Sequence, residues 1–83
     1  MFQVKLSNQA KKDLKRLDQI YKPKATKYID LLAINPFLGQ KMTGEFQGSY
    51  RIKIPPLRII YTPDLKNKII RIKAIGFRGR VYR

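Results

Sequence analysis

The sequence contains no cysteine and no histidine. Without cysteine there is no disulfide and no thiolate metal site, and nothing asks for an oxidising compartment. Without histidine, the commonest metal ligand and the usual general base near neutral pH are both missing. Carboxylates are scarce as well. Asp13, Asp18, Asp30, Glu45 and Asp64 are the only five, and they lie far apart along the chain. That spacing argues against a carboxylate-bridged metal site and against a paired-carboxylate hydrolase. No cofactor is expected. No apolar run approaches the roughly 20 residues of a membrane span. The opening MFQVKLSNQ lacks the pattern of a signal peptide. A cytoplasmic protein that does not engage membranes is the expectation.

What is abundant is positive charge. Nineteen Lys and Arg residues against five acids give a net charge of +14 on 83 residues. Such an excess points to a polyanionic partner, above all nucleic acid. A membrane surface fits less well, because it calls for a basic helix with a strongly apolar opposite face. The length allows one domain with a single small core, spanning 1–83.

Phe2, Val4 and Leu6 alternate with Gln3 and Lys5, which predicts a short strand with one buried face. Ser7 or Asn8 can cap a helix after it. Ala10, Leu14, Leu17 and Tyr21 then form one apolar stripe, predicting a helix to about Tyr21. Lys11, Lys12, Lys15 and Arg16 occupy its other faces, with Asp13 and Asp18 interspersed. Those lysines make either a solvated face or RNA contacts. Pro23 suits the first turn of a second helix, striped by Ala25, Tyr28, Ile29, Leu32 and Ala33. Asn35-Pro36 ends it, since the residue before proline is pushed out of the α region. So short a connection predicts an antiparallel helical hairpin. A glycine-containing loop follows from Pro36 to Gly48, with Phe37 and Phe46 as hydrophobic pins.

Three strands come next, joined by Pro55-Pro56 and by the turn Pro63 to Asn67. Such short links predict an antiparallel meander. Period-two alternation sorts the side chains by face. Tyr50, Ile52, Ile54, Leu57, Ile59, Tyr61, Ile70, Ile72 and Ala74 fall on one face, which the hairpin must cover. Arg51, Lys53, Arg58, Arg71 and Lys73 fall on the other, among Ile60, Thr62, Ile69 and Ile75. Like charges opposed across strands destabilise a sheet, so five cations on one face suggest a phosphate-binding surface. Beyond Gly76, the tail Phe77 to Arg83 adds Arg78, Arg80 and Arg83 with Val81 and Tyr82. Arginine offers planar phosphate contacts, and aromatic rings can stack on unpaired bases.

In this order and spacing the chain resembles the RelE/ParE superfamily of type II toxins. The resemblance rests on the opening strand, the basic hairpin and the loop Leu38 to Gly44. It continues through Tyr50-Arg51-Ile52-Lys53-Ile54, Leu57-Arg58-Ile59-Ile60-Tyr61, Ile75-Gly76-Phe77-Arg78 and Val81-Tyr82. It implies an α+β RelE-like microbial RNase fold. That fold would have an N-terminal strand and an antiparallel hairpin packed on one face of a twisted, mainly antiparallel four-stranded sheet.

Within the superfamily the pattern looks more like the RelE branch, whose members are ribosome-dependent mRNA endoribonucleases. The ParE branch poisons DNA gyrase and tends to lack the basic set. By position, the resemblance implies Arg51, Lys53, Arg58, Arg78 and Tyr82 as catalytic residues. Arg58 and Arg78 would hold phosphate oxygens, and Lys53 would be either the base or a further charge stabiliser. Tyr82 would stack on a base or exchange a proton. Lys11, Lys12, Lys15, Arg71, Lys73, Arg80 and Arg83 would contact RNA or the ribosome. Many relatives carry His where Phe77 stands, and some extend into a further helix beyond the position of Arg83. The implied partners are the ribosome with its message and a cognate antitoxin with an acidic or amphipathic neutralising segment. The free toxin would be monomeric.

Overall fold

Ser7 turns the chain from strand to helix and is used three times. Its hydroxyl accepts from Ala10 N at 3.0 Å, capping the first helix, and donates to the Lys73 carbonyl at 2.8 Å. Its own N–H donates to the Ile72 carbonyl at 2.9 Å. The computed structural model describes residues 1–77. They form β1 (Gln3–Leu6), α1 (Asn8–Arg16), α2 (Lys22–Ile34), β2 (Gln40–Lys41), a 3-10 turn (Gly44–Phe46), β3 (Tyr50–Ile54), β4 (Leu57–Asp64) and β5 (Ile69–Phe77).

The class is the one expected, α+β with a helical hairpin on a mainly antiparallel sheet. The sheet has five strands rather than four, in the order β1-β5-β4-β3-β2. The additional strand is β2, whose two residues pair Gln40 with Arg51 and Lys41 with Tyr50. Two residues are too few to show a periodicity, so no pattern announces it. β1 runs parallel to β5, from Gln3 beside Ile69 to Leu6 beside Ile72, with the hairpin as the crossover between β1 and the rest of the sheet.

The first helix is shorter than its stripe. It ends at Arg16, and Leu17 is already extended. Leu17 is nonetheless buried and Tyr21 still packs on the core. The apolar pattern therefore runs through the connecting turn, where side-chain burial persists after the helical hydrogen bonds stop. α2 begins where Pro23 placed it, with proline in the first turn.

Leu32, Leu57, Ile59, Ile70, Ile72 and Ile75 fill the space between hairpin and sheet, all essentially inaccessible. Each such side chain contributes about 1.5–3 kcal/mol relative to exposure. Ile75 belongs to this core, whereas uniform alternation assigned it to the outer face and Ala74 to the core. The reason is a bulge. β4 and β5 pair Tyr61 with Ile72 but Ile60 with Ala74, so Lys73 has no partner. One extra residue reverses the faces of everything after it. Ile75 and Phe77 turn to the hairpin, and Ala74 and Gly76 turn outward.

Loop 36–39 is fastened to the sheet by one buried phenol. Tyr61 donates to the Pro36 carbonyl and accepts from Gly39 N, both at 2.9 Å. Its ring stacks on Tyr50 at 5.6 Å, and Tyr50 in turn meets Phe37 at 5.9 Å. Phe37, expected as a hydrophobic pin, keeps this ring contact while more than half of it stays exposed. A Cβ at Gly39 would lie 2.5 Å from the Arg51 carbonyl oxygen and 2.9 Å from Tyr61, so only glycine allows the loop so close.

Burial raises the Tyr61 pKa above its ordinary value. A group with a raised folded pKa contributes stability that is present below its unfolded pKa, about 10 for tyrosine, and lost as pH rises through the folded one. Denaturant titrations should therefore show stability falling above pH about 10 in the parent and falling less in Tyr61→Phe. At neutral pH that variant leaves a buried carbonyl and a part-buried amide without the phenol as partner. It should cost about 1–3 kcal/mol by urea denaturation.

Candidate nucleic-acid interface

Alternation along β3 sends Ile52 and Ile54 into the core and Arg51 and Lys53 outward. β4 does the same with Leu57 and Ile59 inward and Arg58 outward. Register then decides which cations meet. Lys53 lies directly opposite Arg58, and Arg51 directly opposite Ile60. Directly opposed Cα atoms in such a ladder are about 4.5–5.5 Å apart. Three cations therefore share one end of the outer face, beside the Pro55-Pro56 turn. Lys53 is exposed, while Arg51 and Arg58 are half-buried.

The row continues onto β5 with Gly76 opposite Arg58. Beyond Arg51 it continues onto β2 with Gln40. At the outer edge of β3, a cleft of about 290 Å³ is lined by Arg51 and Lys53 together with Tyr28, Leu38, Gly39 and Gln40. Cations beside a partly apolar cleft can bind a phosphodiester and lodge part of a base or sugar.

The remaining expected cations do not join this place. Arg71 lies opposite Thr62 on one side and Lys5 on the other, at the far end of the outer face. It is close enough to Asp64 to help hold that carboxyl below its ordinary range, after the larger effect of the Asn67 hydrogen bonds. Ile60 and Ala74 separate the two groups. Ile60 is buried although it lies outside the core cluster. Lys73 is the bulge residue without a register partner on β4, and it is exposed. Lys11, Lys12 and Lys15 are exposed on α1, in the helical layer. Lys11 and Lys15 line a groove with Leu6, Leu14, Lys22 and Thr26 rather than the sheet face. Arg78, Arg80, Tyr82 and Arg83 lie outside the described residues.

Phe77, where many relatives carry His, pairs with Leu57 and meets Tyr21 edge to face at 5.6 Å on the hairpin side. A side chain at position 77 is thus directed away from Lys53 and Arg58. Gln40 and Gly76 are members of the outer face that sequence patterning missed. The first was hidden in a two-residue strand and the second by the bulge. No group of three carboxylates, histidines or cysteines that could hold a metal occurs among the described residues, and no described helix is long and apolar enough to cross a membrane.

A mixed sheet under a helical hairpin matches the fold of RelE toxins of type II toxin–antitoxin systems. Residues 4–82 match the family described as the ParE toxin of type II toxin-antitoxin system, parDE, and the chain belongs to that family, within the RelE/ParE superfamily. No curated protein matches it significantly. Among solved structures, a toxin–antitoxin RelBE complex from Mycobacterium tuberculosis is similar with a TM-score of 0.86 at 19% identity, over 93% of this chain and 98% of that one. The isolated RelE toxin of E. coli gives 0.84 at 18%, over 99% and 92%. An archaeal RelE-RelB complex from Pyrococcus horikoshii gives 0.76 at 26%, over 95% and 97%.

Neutralising a phosphate contact on single-stranded nucleic acid lowers the log–log salt slope by about 0.7. Lys53→Ala and Arg58→Ala should each weaken binding of a single-stranded RNA oligonucleotide and flatten its salt dependence by about that amount. Lys24→Ala, exposed on α2 in the helical layer, should leave the slope near the parental value. Fluorescence titrations at several salt concentrations measure all three.

Proposed function

We propose that this toxin is a ribosome-dependent mRNA endoribonuclease. The observation that carries the reading is the direct opposition of Lys53 and Arg58 with Arg51 alongside. This arrangement costs stability and serves a polyanion. RNA supplies its own nucleophile. The 2′-hydroxyl attacks the adjacent phosphorus as its proton leaves, and the bond to the 5′-oxygen breaks as that oxygen gains a proton. The products are a 2′,3′-cyclic phosphate and a 5′-hydroxyl. The protein has to align these atoms and stabilise the charge that builds on the phosphoryl oxygens, usually the largest contribution. A metal is not needed for that sequence of events.

Arg58 and Arg78 are the phosphate-holding residues in this reading, and Arg51 adds charge at the mouth of the cleft. Arginine does not give up its proton near neutral pH, so Lys53 is the base or a charge stabiliser. Tyr82 stacks on a base or exchanges a proton. Arg71, Lys73, Arg80, Arg83 and the α1 lysines meet RNA or the ribosome. Loading onto the ribosome supplies part of the alignment by holding the message. The chain acts in the cytoplasm as one domain, monomeric when free. An antitoxin with an acidic or amphipathic segment silences it, in keeping with the toxin–antitoxin complexes among its structural neighbours. Opposite charge would bring the two together quickly.

A second reading, inhibition of DNA gyrase without nuclease activity, is favoured by the ParE description of the matched family. Mapping message ends in a cell-free translation reaction separates the two. The endoribonuclease reading expects new 5′-hydroxyl ends on ribosome-bound messages and a loss of about 10²–10³ in cleavage rate for Arg78→Ala. Intact messages together with loss of supercoiling by purified gyrase would replace it with the second.

A further inference from the structure

Asp13 is a carboxylate that no role described so far uses. It sits in the middle of α1, in a stretch rich in exposed lysine, yet it is only 5% exposed. Its Oδ2 accepts from the Ile75 N–H at 3.0 Å, and its Oδ1 accepts from Gln9 Nε2 at 2.8 Å. Ile75 lies just past the bulge, where β5 has outrun β1. Asp13 therefore binds the backbone of the strand at the place where the faces of the sheet reverse.

The bulge matters to Arg58. If the register of Tyr61 with Ile72 continued without interruption, Arg58 would face Ile75 across the outer surface. With the bulge it faces Gly76. A branched side chain is exchanged for none, so no side chain of β5 crowds the guanidinium across the ladder, although Gly76 itself is buried.

We propose that Asp13 is a positioning residue for the phosphate-binding face. By holding the Ile75 amide it fixes the bulge that sets Gly76, rather than the branched Ile75, beside Arg58, and so keeps that guanidinium in the position from which it meets an RNA phosphate. This rests on the endoribonuclease reading for its chemistry, but its effect on RNA binding stands apart from cleavage.

Charge and geometry predict opposite signs, which makes the test decisive. Removing a carboxylate from a protein of +14 should tighten RNA binding if Asp13 acts only through charge. A positioning role predicts weaker binding in Asp13→Ala and restoration in Asp13→Asn, which keeps the size and an acceptor oxygen. The measurements are binding of a single-stranded RNA oligonucleotide, amide exchange at Ile75, and cleavage on ribosomes. Ile70→Val, a core truncation at the far end of β5, serves as a destabilised control away from Arg58 and the cleft.

Asp13→Ala is expected to bind the oligonucleotide at least fivefold more weakly, to lose protection at Ile75, and to cleave at least tenfold more slowly. Asp13→Asn is expected within about twofold of the parent in each. The proposal is overturned if Asp13→Ala binds as tightly as the parent or tighter, if Ile70→Val shows the same loss of binding, or if Asp13→Asn fails to restore it. A parent that binds RNA but cuts no message would sink the endoribonuclease reading alone, and the binding and exchange measurements would still decide on Asp13.

Discussion

β5 is nine residues long and its parallel neighbour β1 only four. The backbone groups of β5 beyond Ile72 that point away from β4 therefore need partners from somewhere other than β1. Buried amides and carbonyls left without partners cost about 1–3 kcal/mol each. Ser7 and Asp13 meet that need from α1, one by donating to the Lys73 carbonyl and the other by accepting from the Ile75 amide. The helix thus docks by polar contacts to a strand as well as by burying Ala10 and Leu17. The bulge, the entry of Ile75 into the core and the outward turn of Gly76 all occur at that junction.

The sheet carries two unequal faces. Inward, a continuous apolar surface is closed by the hairpin. Outward, Lys53 and Arg58 are set against each other with Arg51 two residues away, and that repulsion is a standing cost. The inner face offsets it. β4 is flanked on both sides by antiparallel neighbours, and Leu57, Ile59 and Tyr61 are all inaccessible. Cations mounted on such a strand have little freedom to drift apart. A phosphodiester entering between them relieves the repulsion while gaining contacts, so the same arrangement that weakens the free fold favours the occupied one.

Much of this was legible in the residues. Phe2, Val4 and Leu6 alternate plainly, Pro23 and Asn35-Pro36 bracket the second helix, and Arg51, Lys53 and Arg58 stand at fixed parity against buried isoleucines. What could not be read has physical reasons. A single inserted residue at Lys73 leaves no trace in composition, yet it reverses parity, so Ala74 and Ile75 exchange faces. β2 is held by pairing at two residues and by the Tyr61 phenol behind it, both of them tertiary contacts. Asp13 looks like one more charge in a charged helix, because its value lies in an amide 62 residues away. Helix α1 stops early because burial of Leu17 and Tyr21 does not require helical hydrogen bonds between them.

β2 covers only the first two residues of β3, Tyr50 and Arg51, and among the described residues no strand pairs with the remaining edge of β3 along Ile52 to Ile54. Open sheet edges invite a second copy to add its own strand, and charged side chains are a common means of preventing it. Arg51 and Lys53 stand on that edge strand. Those two cations therefore act as a guard against self-assembly. A chain with both positions made apolar would lose that guard, and its solubility would then depend on whatever partner covers the strand.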